Sequence, residues 1–149
     1  MRILRYTLKN GATSDLADLA FAVEIMGQAP LGWPQPNGYP DTQTAWMSAS
    51  FVQTAWANHM RLTGGWWTET LSFPGIAAVV GNPSPAMRAG DFIDQVCGRL
   101  LFQPVNASHK AVLLRYLGRS ADEPVGADNV ALLDMFTKVV LDSPYFAVR

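Results

Sequence analysis

The chain has 149 residues, of which 49% are hydrophobic and 15% charged, and its formal net charge is -1 from 11 basic and 12 acidic residues. This length fits a single domain, and the apolar content excludes an intrinsically disordered chain. The near-neutral charge without a basic cluster argues against nucleic acid as a partner, because a phosphate-binding surface needs clustered Lys or Arg. We therefore predict one folded domain over residues 1–149 that does not bind nucleic acid.

The composition also bears on the surface and the compartment. A charged fraction of 15% is low for a globular protein, and five tryptophans are many for this length, so part of the surface is expected to be apolar. The one cysteine, Cys97, cannot form a disulfide within the chain. The N-terminus lacks the apolar run of a signal peptide, and no apolar stretch is long enough to span a membrane. For the chain as given, we expect a cytoplasmic location and no membrane span.

The N-terminal half is predicted to contain two complete helices and the end of a third. Over residues 1–8, alternating basic and apolar residues predict the end of a further helix. Ser14 can cap a helix over 14–26, because acidic residues follow it in the positive first turn. A second helix is predicted over 51–62, and a glycine pair ends it. Its inward stripe should contain Phe51, Ala55 and Leu62, with Trp56 or Met60 beside the stripe. The stripe of the first helix that should face inward consists of Leu16, Leu19, Ala20 and Val23.

The C-terminal half is predicted to be helical almost throughout. Helices are expected as a short segment from Pro74, from about 85 or 91 to 102, over 110–117, over 130–141, and as a last turn after Ser143 and Pro144. Gly90 is a point at which the second of these can divide. The buried seam of the 130–141 helix should contain Leu133, Phe136 and Val140.

Caps mark the helix over 110–117 most clearly. Asn106 or Ser108 can cap its start, and Gly118 can end it. Together these patterns predict an all-α class: a compact helical domain of about six helices with one long loop rich in Pro, Gly and Trp.

No constellation of side chains in the sequence predicts a reaction. Cys97 lies on an apolar helix face, where a free cysteine is a small buried hydrophobe, so its pairing with His59 or His109 in catalysis is not expected. The two histidines lack the spacing of zinc ligands. Asp91 and Asp94 share a helix face near its start, where compensation of the helix dipole is their expected role. We predict no catalytic residue, no metal site and no cofactor.

The loop over residues 28–45 is the most informative segment. Prolines recur through it and hold Trp33, Tyr39 and, just beyond it, Trp46 stiffly. Rigid aromatic rings lose little entropy on binding, so these rings with Asp41 are the predicted ligand- or partner-binding residues. Two ligands remain open, a sugar on which the rings stack or a proline-rich peptide. A third interpretation is that the rings fill the core between helices.

The same segment resembles the bacterial family called domain of unknown function eighteen-hundred. The matching runs are Met26-Gly27-Gln28-Ala29-Pro30, Gly38-Tyr39-Pro40-Asp41, Trp46-Met47-Ser48 and, at the end of the chain, Leu141-Asp142-Ser143-Pro144-Tyr145-Phe146. Residues 91–102 are similar to a helical region of the family that precedes this closing element. The chain departs from the family in length and around Thr54 and Ala55, where an arginine is expected.

The resemblance implies the C-terminal helical region of a longer protein, whose relatives are often exported by a twin-arginine signal. It implies no established activity. Our leading hypothesis is a non-catalytic interaction or scaffold module with an aromatic loop. Its expected partner is the N-terminal part of a longer family protein or a second copy of the chain. The alternative hypothesis is the C-terminal part of an exported enzyme that acts on envelope glycans or a related polymer.

Overall fold

The structure is a computed structural model that describes residues 7–8, 14–26, 32, 36, 49–64, 71–127 and 129–147. Within these residues it contains seven helices, close to the predicted number, so the chain is all-α as expected. The elements in chain order are β1 (Thr7–Leu8), α1 (Ser14–Ile25), α2 (Ala49–Thr63), β2 (Leu71–Ser72), α3 (Ile76–Val80), α4 (Ala89–Leu101), α5 (Ala107–Leu117), α6 (Asn129–Leu141) and α7 (Pro144–Ala147).

The two short strands correct one prediction. Thr7 pairs with Ser72 and Leu8 with Leu71 in an antiparallel ladder between β1 and β2. The helix end predicted over residues 1–8 is therefore wrong for Thr7 and Leu8. Backbone pairing with a distant segment has overridden the local pattern, because a ladder satisfies the same N–H and C=O groups that a helix would.

The core is built by α3, α4, α5 and α6 around two aromatic rings. Phe92 of α4 and Phe136 of α6 are fully buried, and their ring centroids lie 5.1 Å apart. The predicted seam of Leu133, Phe136 and Val140 is confirmed, since each of these side chains is fully buried. Burying one such side chain contributes about 1.5 to 3 kcal/mol, so this seam is a main source of stability.

The start of α4 lies between the two predicted positions. Ser84 and Pro85 form a turn in which the Met87 N–H donates to the Ser84 carbonyl at 2.9 Å, and the helix begins at Ala89. Gly90 does not divide the helix. A Cβ at Gly90 would lie 3.2 Å from the Ala121 carbonyl oxygen, which the Gly90 N–H contacts at 2.9 Å. The glycine thus lets the connection between α5 and α6 lie directly on the start of α4.

The ends of α5 follow the predicted caps. Asn106 is the cap, and its side-chain oxygen accepts from the His109 N–H at 2.8 Å. Ser108, the other candidate, lies inside the helix. Gly118 ends the helix with φ of 65°, a left-handed conformation that glycine adopts without steric cost.

The buried side chains of α1 and α2 match the predicted inward stripes only in part. On α2, Ala55 is buried and Leu62 half-buried, as expected. On α1, Val23 is half-buried, but Ala20 is exposed, so its assignment to the inward stripe is wrong. Helical periodicity identifies an apolar side of α1, whereas the packing of distant elements decides which side is covered.

Candidate functional site

The four binding residues predicted from the sequence, Trp33, Tyr39, Asp41 and Trp46, lie outside the described residues. Within the predicted loop, the structure describes Gly32 and Pro36, and both are exposed. The positions that flank this segment are Met26, after the last residue of α1, and Ala49, the first residue of α2.

A partly buried contact joins the two helices that flank the loop. Asn58, in the middle of α2, is buried and donates from its side-chain nitrogen to the Met26 sulfur at 3.4 Å. Sulfur is a weak acceptor, and the contact also packs the methionine side chain on α2. The contact therefore holds the end of α1 against the face of α2 that contains Asn58.

A histidine and an aspartate meet one residue further along α2. His59 Nδ1 and Asp142 Oδ1 lie 2.8 Å apart, with 14% and 33% of their side chains exposed. The Phe146 ring of α7 stands edge-on to the imidazole at 5.1 Å between centroids. A carboxylate beside one ring nitrogen orients an imidazole and leaves the other nitrogen for a second contact. The arrangement ties α2 to the junction of α6 and α7.

Sequence reasoning missed this pair. His59 and Asp142 are 83 positions apart, and neither lies in a motif that would have connected them. The resemblance to the family did single out the run that contains Asp142 and Phe146, which is the one signal at the sequence level that points to this region.

The second histidine has a separate environment at the start of α5. The His109 ring packs on the Tyr145 ring at 5.1 Å, while the Tyr145 hydroxyl accepts from the Asn106 N–H at 3.1 Å. Gln103 donates from its side-chain nitrogen to the Tyr145 carbonyl at 3.1 Å. These bonds anchor α7 on the turn between α4 and α5. His59 and His109 therefore hold α7 by contacts on two different residues, Phe146 and Tyr145.

Cys97 has the character predicted for it. The residue is 1% exposed, and burial first, then the nearby Asp94 charge, raises the pKa of its thiol from 9.0 to about 11 despite the opposing effect of Lys110. A thiol with so high a pKa is protonated at neutral pH and is a poor nucleophile. Asp94 itself pairs with Lys110 Nζ at 2.6 Å, and Asp91 lies exposed in the first turn of α4. In the part of the chain that the structure describes, no three His, Cys, Asp or Glu side chains group as metal ligands would.

The exposed face of α1 is largely apolar. Phe21 is 60% exposed, and Ile25, one turn further, is half exposed. Ala17, Ala20 and Glu24 are exposed as well. These five positions have the spacing of a single helix face, so α1 presents an unburied stripe of two large apolar side chains, two alanines and one glutamate.

A second apolar surface is formed by exposed side chains of α5 and α6, and we call it the α5–α6 patch. Both helices pack on α4, and the Tyr116 ring reaches the buried Phe136 ring at 6.5 Å between centroids. Leu132 and Val139 flank Phe136 along α6 and are half-buried. The exposed apolar side chains of this surface are Val112, Tyr116 and Met135, and Phe136 lies fully buried beneath it.

A third exposed apolar surface consists of two side chains on α2. Trp56 and Met60, one turn apart, are each about half exposed. The sequence pattern puts one of them beside the inward stripe of α2, and both lie on the side of α2 that faces solvent.

The family comparison confirms the resemblance found in the sequence. The family model described as Protein of unknown function (DUF1800) matches residues 1–148. The chain belongs to the DUF1800 family. No match was found among curated proteins or among solved structures. The DUF1800 description names no activity. Of the helices described for this DUF1800 chain, none is long and apolar enough to cross a bilayer.

Proposed function

We propose that this DUF1800 chain is a helical interaction or scaffold module over residues 1–149, with an aromatic loop and no catalytic step of its own. The observation that carries the proposal is the exposure of large apolar side chains on separate helices. They occur on the α1 face, in the α5–α6 patch and at Trp56 and Met60 of α2. Exposed large apolar side chains that group on one helix face are typical of sites where another protein binds.

The arrangement of the core supports this function. Fully buried side chains such as Phe92 and Phe136 form the core, while Phe21 and Met135 remain 60% and 56% exposed on the outside. Aromatic residues and methionine are enriched at the centres of protein interfaces, where they exclude water. The exposed side chains are therefore of the type that contributes binding energy when a partner covers them.

The aromatic loop is proposed as a further part of the binding surface. Trp33, Tyr39, Asp41 and Trp46 are the residues that would contact the partner. The Asn58 contact with Met26 supports this role, because it holds one end of the loop against a neighbouring helix. A loop whose ends are held on a rigid scaffold can present its side chains with little loss of entropy.

Two sets of variants test the proposal in cells. Phe21→Ser and Trp56→Ser should abolish the cross-linked complexes that contain the chain and leave the melting temperature within about 2 °C, because both side chains are exposed. Gln53→Ala, also exposed on α2, is the matched control. Complexes that persist in both apolar variants would contradict the interaction role of these faces.

The loop is tested separately. Trp33→Ala and Tyr39→Ala should weaken the same complexes without unfolding the protein, whereas Gln35→Ala should have no effect. A fall in the melting temperature of more than about 10 °C would mean that the rings are core side chains and would remove the loop from the binding surface. The glycan-acting enzyme stays an untested alternative, because no feature of the described residues favours it.

A further inference from the structure

We draw no further inference here: the strongest candidate, the exposed apolar face of α1 with Phe21 and Ile25, carries nothing, because nothing in the structure shows what covers it.

Discussion

The contact between His59 and Asp142 leads to a quantitative prediction about how α2 is held on the C-terminal helices. The perturbations are His59→Ala, Asp142→Ala and the double variant. They remove a hydrogen bond of 2.8 Å between half-buried side chains and, for His59, the edge contact with the Phe146 ring. Because both contacts join elements far apart in the chain, their loss should lower the free energy of unfolding.

The magnitude follows from the two contacts. A hydrogen bond between partly buried side chains contributes about 0.5 to 1.5 kcal/mol net. An edge-to-face pair of rings adds about 0.5 to 1.5 kcal/mol. His59→Ala should therefore lower the free energy of unfolding by about 2 kcal/mol, and Asp142→Ala should lower it by about 1 kcal/mol. His59→Phe keeps a ring against Phe146 and loses the hydrogen bond, so it should cost about 1 kcal/mol.

The assay is a double-mutant cycle from urea unfolding followed by circular dichroism. The protein is kept dilute, so that self-association does not add to stability. Equal m-values across the four proteins establish that the unfolding transitions are comparable. The coupling free energy between His59 and Asp142 should be about 1 kcal/mol, and His59→Ala should lower the melting temperature by about 4 to 8 °C.

An exposed ion pair of the same protein serves as the control. Arg88 and Asp122 lie 3.1 Å apart with 66% and 85% of their side chains exposed, so water screens them and their coupling should stay below about 0.5 kcal/mol. If the coupling between His59 and Asp142 is no larger than that of the control pair, the reasoning from burial is refuted, and α2 is held by apolar packing instead.

Three further predictions concern the core, the thiol and a helix cap. Phe136→Ala should lower the free energy of unfolding in urea by about 3 to 5 kcal/mol, because it leaves a cavity in the core. Asp134→Ala, at an exposed position of the same helix, should lower it by less than about 0.5 kcal/mol. Similar losses in the two variants would contradict the assigned burial. Burial raises the pKa of Cys97 from 9.0 to about 11, so the unfolded chain loses this proton first. Stability should fall by about 2 to 3 kcal/mol between pH 9 and 11, and in Cys97→Ala this part of the pH dependence should vanish. Asn106→Ala should lower the free energy of unfolding, measured by thermal melting, by about 1 kcal/mol, because it removes the cap of α5. Ser108→Ala, inside α5, should leave the stability almost unchanged. Equal effects of the two variants would mean that the cap does not depend on Asn106.

Most of the helical content could be predicted from local patterns. The start and end of α5 follow from Asn106 and Gly118, and the buried seam of α6 follows from the spacing of its apolar residues. The inert character of Cys97 follows from its place on an apolar helix face. These features depend on residues within a few turns of one another, which is the range over which caps and periodicity act.

The predicted binding residues remain a prediction, because Trp33, Tyr39, Asp41 and Trp46 lie outside the described residues. Family membership, by contrast, was evident from short motifs in the same segment and at the end of the chain, and the family model matches residues 1–148. Motif order along a chain identifies relatives, but it does not determine which side chains meet in space.

Local sequence patterns are sufficient to predict the all-α class, the approximate helix bounds and the family, since each depends on the order of nearby residues. They do not predict that Thr7 and Leu8 pair with β2, that Ala20 faces solvent or that His59 meets Asp142. Strand pairing, burial and side-chain contacts depend instead on which distant segments pack together. Periodicity shows that a helix has an apolar side, and only the packed fold shows whether that side is covered or left for a partner.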